Sequence, residues 1–116
     1  MNSPSEQLQS LDRVVHEPVR LAILTALEAC ETAEYLYLQR LTGCSAGNLS
    51  SHLRRLVEAG YIEMTKSIAG NVVQTNVSLT KSGRDAIAAY WKQMNSLQSA
   101  IGKHALRQLR ASQRPA

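Results

Sequence analysis

The sequence predicts one mainly α-helical domain with a small β-hairpin and a long final helix. Three observations predict it. Apolar residues recur every three or four positions through most of the chain, two short segments near the middle alternate apolar and polar residues, and the last third carries a heptad-like apolar repeat. With 116 residues, 44% hydrophobic and 19% charged, the chain has the composition of a soluble domain large enough to bury a modest core.

The first two helices are predicted from their starting residues. A capping box, SPSE, with proline at the first helical position predicts a helix over residues 4–15. Its apolar side is expected to contain Leu8, Leu11 and Val15. A second helix, from Pro18 to about residue 29, has little polar surface, so we expect it at the centre of the core.

The stretch from Gly43 to Gly60 predicts a helix with a clear start and a clear stop. Ser45 is a suitable N-cap and Gly60 suits the left-handed residue that ends a helix, so the helix should cover residues 46–59. A shorter helix over residues 34–41 precedes it, which gives a helix-turn-helix. One side of the main helix is apolar (Leu49, Leu53, Leu56, Val57), and the other is polar (Asn48, Ser51, Arg54, Arg55, Glu58).

That polar side has two interpretations. Small hydrogen-bonding residues followed by two arginines can approach an anionic surface closely, as a recognition helix does in the major groove of DNA. An ordinary solvated face is the alternative.

Two alternating segments follow, residues 61–66 and 75–80, with turn residues at Ala69-Gly70-Asn71 between them. They predict a two-stranded hairpin with a long tip. Helix, helix, helix and hairpin follow one another in the order of a winged helix, so residues 18–80 are predicted to form a winged helix-turn-helix core.

A long last helix is predicted over residues 81–111, capped by Thr80. Its apolar residues repeat at intervals of three and four, which can pack on the same domain or on a second copy. The length and late position of this helix favour a homodimer formed with the first helix. The predicted dimer contacts are Leu8, Leu11, Ile87, Tyr90, Met94, Leu97 and Ile101.

The formal net charge is +4, and no acidic residue follows Asp85 whereas five basic residues do. This distribution suits contact with a polyanion, although a plain basic tail is the alternative. The amino terminus has neither a basic start nor an apolar stretch, and no long apolar run occurs, so a cytoplasmic protein is expected.

No metal site, catalytic site or cofactor is predicted. Cys30 and Cys44 are far apart in sequence and the three histidines are scattered, whereas zinc ligands are usually closely spaced. Both cysteines are expected to be buried apolar groups, with a redox role left open. His52 is expected to be partly buried and bonded to the backbone. No paired carboxylates, nucleophile elbow or phosphate-binding loop appears, so an enzyme is a poor fit.

Residues 11–90 resemble small winged-helix transcription regulators of the ArsR and MarR type. The most specific segments are HEPVR at residues 16–20, NLSSHL at 48–53 and LTKSG at 79–83. The resemblance implies a homodimer that binds double-stranded DNA, with the 46–59 helix in the major groove and the wing on the backbone or minor groove. The implied DNA contacts are Ser45, Ala46, Gly47, Asn48, Ser50, Ser51, Arg54 and Arg55, with Lys66 and Asn71 on the wing.

Three departures from these families are visible. The Cys-x-Cys segment of metal-sensing relatives is replaced by residues 35–40, YLYLQR, so metal sensing there is not expected. The wing tip lacks the arginine that many relatives carry. Gln39 stands where a small residue is usual, four positions before the turn glycine, and must point outward or loosen the helix pair.

The sequence therefore leads to the hypothesis of a dimeric, sequence-specific DNA-binding regulator. Two alternatives remain open. The same outer face could dock an acidic protein, or the chain could sense an unknown small-molecule effector or redox change in a pocket near Tyr90, Trp91 and Met94. A core role for these three residues is the simpler interpretation, because aromatic and methionine residues at helical spacing usually pack a seam.

Overall fold

The computed structural model describes residues 3–113, and it confirms a mainly helical fold with a small antiparallel sheet. The helix-turn-helix lies between two parts of that sheet in the chain, and the last helix is by far the longest. In chain order the elements are α1 (Pro4–Gln9), α2 (Pro18–Cys30), β1 (Thr32–Glu34), α3 (Tyr35–Thr42), α4 (Ala46–Glu58), β2 (Ile62–Ala69), β3 (Val72–Leu79) and α5 (Lys81–Ser112).

The first helix is shorter than the predicted 4–15 span. It has six residues, and its Ser3 cap accepts a hydrogen bond from the Glu6 amide as the capping box predicted. Beyond it, the Asp12 carboxylate accepts hydrogen bonds from the amides of Val14 at 2.9 Å and Val15 at 3.3 Å. Such local bonds offer the backbone an alternative to the helix. The chain therefore turns, although Val15 is still fully buried.

The sheet contains a strand that the sequence did not predict. β1 occupies what was expected to be a plain connection, and it pairs antiparallel with β3, from Thr32 opposite Ser78 to Glu34 opposite Asn76. The strand order is β1-β3-β2. A three-residue strand has no periodicity of its own to detect, because only its distant partner defines it.

The hairpin has longer strands and a tighter tip than predicted. Ala69 pairs with Val72, so only Gly70 and Asn71 form the loop. Gly70 has φ 65°, and glycine is favoured at this first loop position in type II′ turns. The long tip expected from the sequence was therefore wrong.

The core is formed around α2, as predicted. Ile23, Leu24 and Leu27 of this helix are fully buried. They pack in one cluster with Leu38 of α3, Ile62 of β2, Ile87 of α5 and the apolar side of α4. Full burial of one such side chain stabilises the fold by about 1.5–3 kcal/mol, so this cluster fixes how α4 is presented.

The start of α5 is placed by a close backbone contact. A Cβ atom on Gly83 would lie only 2.1 Å from the carbonyl oxygen of Tyr61. Thr80 caps the helix by accepting from the Gly83 amide at 3.0 Å. The LTKSG segment therefore docks α5 against the base of the hairpin, since no larger side chain fits at Gly83.

The 32-residue α5 then separates into two parts. Ile87, Tyr90 and Leu97 are buried in the part nearer the core. Residues 101–113 are all exposed. The chain measures 78 Å along its longest axis but only 26 and 21 Å across the others, because this helix extends beyond the folded body.

Candidate nucleic-acid interface

One side of α4 is fixed in the core and the other is presented to solvent. Leu49, Leu53 and Leu56 are each fully buried. Ser45 caps the helix by accepting a hydrogen bond from the Asn48 amide at 3.2 Å. The helix ends at Glu58, one residue before the predicted end, and Gly60 takes the predicted left-handed conformation with φ 80°. Val57, placed on the apolar side by the sequence, is 42% exposed.

All ten residues predicted to contact DNA are exposed. Within residues 3–113, neither the Arg54 nor the Arg55 side chain makes an ion pair or hydrogen bond inside its own chain. Both guanidinium groups are therefore available to an external partner. The ten are Ser45, Ala46, Gly47, Asn48, Ser50, Ser51, Arg54 and Arg55 on or capping α4, and Lys66 and Asn71 on the wing.

The two helices of the helix-turn-helix are joined by polar bonds at the turn. The Tyr35 hydroxyl donates to the carbonyl of Ala46 at 2.9 Å and lies 3.0 Å from the Ser50 hydroxyl. Gln39 donates to the carbonyl of Cys44 at 3.4 Å. Gln39, which is larger than the residue usual at this position, therefore bridges the turn with its side chain. Ser50 already has a partner, whereas the Ser51 hydroxyl forms no hydrogen bond with residues 3–113.

Beside α4 lies a cluster formed by Glu17, Arg20 and His52. Glu17 caps α2 by accepting from the Val19 amide, and its other oxygen lies 3.0 Å from His52 Nδ1. One Arg20 nitrogen lies 3.2 Å from the same His52 nitrogen, while its Nε donates to the Val14 carbonyl at 2.6 Å. These contacts join α4 to the start of α2 and to the segment before it.

The cluster corrects one prediction and adds to another. His52 is half-buried as expected, but its partners are side chains rather than the backbone. Glu17 and Arg20 were not predicted as positioning residues. Their only signal was the HEPVR segment, in which His16 also bonds the Tyr90 hydroxyl at 2.9 Å. The segment therefore connects α2, α4 and α5.

The wing differs in character from α4. Lys66 is the only basic residue of β2 and β3, and it is exposed. The outer half of the hairpin instead presents apolar side chains, with Ile68 77% and Val73 61% exposed on paired positions. Val72 is also largely exposed. This part of the wing offers little positive charge.

The base of the wing is anchored. The Tyr61 phenol donates a hydrogen bond to the Asp12 carboxylate. This bond, together with burial and the negative charge of Asp12, raises the pKa of Tyr61 from 10.0 to about 12. The segment after α1 is thus tied to the start of β2.

Some of the predicted dimer contacts are buried in their own chain and others are exposed. Leu11, Ile87, Tyr90 and Leu97 are buried within their own chain, with at most 6% exposure, so their side chains leave no surface for a partner. The structure assigns these four to intrachain packing. Leu8 and Ile101 are each 46% exposed, and Met94 is half-buried. Of the residues suggested to line an effector pocket, Tyr90 is buried with 3% exposure, whereas Trp91 borders an open groove of about 610 Å³.

The cysteines also differ from the prediction. Cys30 is exposed rather than buried, and Cys44 is half-buried against the core. Among the described residues no group of three or more His, Cys, Asp or Glu side chains converges as metal ligands would. The same part of the chain contains no helix that is long and apolar enough to cross a membrane.

Residues 19–98 match the family described as winged helix DNA-binding domain, which covers the helix-turn-helix, the wing and most of the part of α5 that packs on the core. The chain belongs to this family. An uncharacterized protein of Methanocaldococcus jannaschii, MJ0432, is 35% identical over 78 residues, which are 67% of this chain and 85% of that protein.

Solved structures agree with the fold. A transcriptional regulator homologue from Pyrococcus horikoshii superposes with a TM-score of 0.74 at 26% identity, covering 84% of this chain and 94% of that one. The regulator AbfR, in its overoxidized form bound to DNA, superposes with a TM-score of 0.66 at 16% identity, covering 94% and 77%. The predicted resemblance to winged-helix regulators is confirmed.

Proposed function

We propose that the protein is a homodimeric, sequence-specific DNA-binding transcription regulator that places α4 in the major groove. The observation that carries this proposal is the outer face of α4, where Asn48, Ser51, Arg54 and Arg55 are all exposed and the two guanidinium groups have no partner in the described chain. A face that only needed to be solvated would not require two unpaired arginines beside small hydrogen-bonding residues.

The side chains of this face have distinct tasks in the proposal. Asn48 suits bidentate bonding to adenine, and an arginine suits guanine. The serine hydroxyls and the Ser45-capped start of the helix suit phosphates. Lys66 and Asn71 supply secondary contacts from the wing. AbfR has been solved bound to DNA, and its likeness in fold supports DNA as the partner in this proposal.

A homodimer would present two copies of α4 to a two-fold related operator. Their separation should be about 34 Å, one helical turn of duplex. Neutralised phosphates would supply most of the affinity, so binding should weaken steeply as salt rises. In this proposal the chain binds DNA without catalysing a reaction, and it acts in the cytoplasm.

The test is a titration of the protein into its own upstream DNA and into random duplex, each at two salt concentrations. Replacing Asn48, Ser51 and Arg54 together by alanine should lower operator affinity by about 100-fold or more, since each of the three side chains should contribute about 1 kcal/mol or more. Lys103→Ala removes an exposed base elsewhere and should leave operator affinity nearly unchanged.

Two results would contradict the proposal. Equal affinity for operator and random duplex would remove the claim of sequence specificity. A triple variant that binds DNA as tightly as the wild type would favour the other candidate, in which this face docks an acidic protein.

A further inference from the structure

His52 is the single histidine of α4, and its ring nitrogen Nδ1 has two charged neighbours. The Glu17 carboxylate oxygen Oε2 lies 3.0 Å from Nδ1, and the Arg20 nitrogen Nη1 lies 3.2 Å from it. The His52 side chain is 25% exposed. One nitrogen of the helix that carries the candidate DNA contacts therefore lies between an anion and a cation.

These two neighbours require opposite states of Nδ1. A guanidinium group can only donate hydrogen bonds, and an ionised carboxylate can only accept them. Without a proton, Nδ1 accepts from Arg20 and has nothing to donate to Glu17. With a proton, Nδ1 donates to Glu17 and cannot accept from Arg20. The two bonds exclude each other, so the cluster has two states.

The structure contains the state in which Arg20 is the partner. The contact between Arg20 and Nδ1 has the geometry of a hydrogen bond, whereas the buried Glu17 Oε2 has no hydrogen-bond partner among the described residues. The ion pair from Oε2 to Arg20 Nη1 is long, at 3.6 Å. A buried charged acceptor without a partner destabilises the fold. A proton on Nδ1, with a small rotation of the ring, would supply that partner.

Arg20 keeps other bonds when Nδ1 is protonated. Its Nε donates to the Val14 carbonyl at 2.6 Å, and its Nη2 lies 3.5 Å from the Arg13 carbonyl. The guanidinium group has several N–H donors, so losing one partner does not release it. The exchange at Nδ1 therefore leaves Arg20 anchored to the segment before α2.

The charges around His52 determine when it takes up a proton. The Glu17 carboxylate favours the charged imidazolium, whereas Arg20 opposes it. On α4 itself Arg55 follows one turn later and also opposes it. Within residues 3–113, neither α5 nor the hairpin forms a hydrogen bond or ion pair with His52. Phosphates placed against α4 would add negative charge beside the imidazole and favour its protonation.

We propose that His52 is a proton-linked positioning residue for α4, which exchanges Arg20 for Glu17 when it is protonated and strengthens DNA binding as pH falls. This inference rests on the proposed function and adds a regulation to it. Glu17 is the N-cap of α2, so the new charge-assisted bond ties α4 to the start of α2. Because DNA favours the charged imidazole, protonation must in turn favour DNA.

The test is the operator affinity of the full-length chain from about pH 8 to about pH 5.5, a range in which histidine changes charge. The wild type should bind its own upstream duplex about two- to five-fold more tightly at the acidic end, the effect of one added charge contact. His52→Gln cannot take up a proton, although its amide can still bond both neighbours, and it should lose most of this dependence. His104→Gln removes an exposed histidine of α5 and is the matched control, which should keep it.

A second measurement does not need DNA. NMR of the isotope-labelled free chain distinguishes protonated from unprotonated ring nitrogens at each of the three histidines. His52 Nδ1 should be unprotonated at about pH 8 and protonated in acid. Glu17→Gln keeps an oxygen that can cap α2 but lacks the charge, so it should need a lower pH for the same change.

Several results would overturn this inference and leave the regulator intact. They are a wild-type operator affinity that does not rise in acid, a His52→Gln variant with the wild-type dependence, and a protonated Nδ1 at about pH 8. Equal binding of operator and random duplex at every pH would instead overturn the proposed function. The NMR titration would then still decide whether Nδ1 changes partner.

Discussion

α4 and the wing hairpin differ in what holds them and in what they offer. α4 is held by three fully buried leucines and presents Arg54 and Arg55 without intrachain partners in the described chain. The hairpin is held at its base by Tyr61, while its outer half presents Ile68 and Val73. Charge that can meet a phosphate is therefore concentrated on the helix.

Because of this difference, the two parts of the proposed DNA interface would depend on different interactions. A rigid helix with unpaired guanidinium groups provides directional bonds, which can distinguish bases. A weakly charged hairpin with an apolar outer half can add contact area and shape, but little electrostatic attraction. The variants below separate these contributions.

The largest effect is expected from the double variant Arg54→Lys, Arg55→Lys. It keeps both positive charges but removes the planar, bidentate donors that match a guanine edge. We expect operator affinity to fall by about 10-fold or more for each arginine that bonds a base, whereas affinity for random duplex and its salt dependence should change little. Fluorescence anisotropy with both duplexes at two salt concentrations measures this.

Two results of that experiment would contradict base recognition by Arg54 and Arg55. Equal reductions on operator and random duplex would show that the arginines bind phosphates only. No reduction on either would show that α4 does not carry the recognition. The free energy of unfolding of the double variant should stay within about 0.5 kcal/mol of the wild-type value, because both positions are exposed.

Loss of the hydrogen bond at the base of the wing should lower the stability of the fold. Tyr61→Phe removes the phenol that bonds Asp12, and a hydrogen bond to a charged group contributes about 1.5–3 kcal/mol. Urea unfolding near pH 7 should show a decrease in unfolding free energy of that order. A decrease below about 0.5 kcal/mol would mean that the bond does not anchor the segment after α1.

The same bond predicts a pH dependence. The pKa of Tyr61 is raised from 10.0 to about 12 in the folded chain, so folding favours the protonated phenol. Its stabilisation is complete below about pH 10 and is lost as pH rises from about 10 to 12. The difference in unfolding free energy between wild type and Tyr61→Phe should therefore shrink across that range. Unfolding curves at pH 8, 10 and 11 test it, and a constant difference would contradict the assignment.

The sequence predicted what depends on neighbouring residues. The Ser45 cap, the buried side of α4 and the Thr80 cap of α5 each follow from residues within one or two helical turns. The exposure of Asn48, Ser51, Arg54 and Arg55 followed from the same periodicity, whereas the full set of ten candidate contacts came from the family resemblance. Their binding to DNA remains a prediction, since exposure alone does not identify a partner.

The features that were not predicted from the sequence depend on distant residues or on competing local hydrogen bonds. β1 exists only through its pairing with β3, and the Glu17–Arg20–His52 cluster joins residues more than thirty positions apart. α1 ended early because Asp12 offered the backbone other hydrogen bonds. Similarly, the heptad repeat of α5 identified a packed seam, but whether it packs on its own chain or a second one depends on tertiary structure.

The smallest effect is expected from Lys66→Ala on the wing. Lys66 is the one basic residue of the hairpin strands and is exposed to solvent and salt, where a single charge contact contributes about 0.2–1 kcal/mol. Operator affinity should fall about five-fold at most, and the salt dependence should decrease by no more than one phosphate contact, about 0.9 in the logarithmic slope. An effect as large as that of the arginine variant would mean that the wing carries recognition equally, which would remove the contrast between α4 and the hairpin.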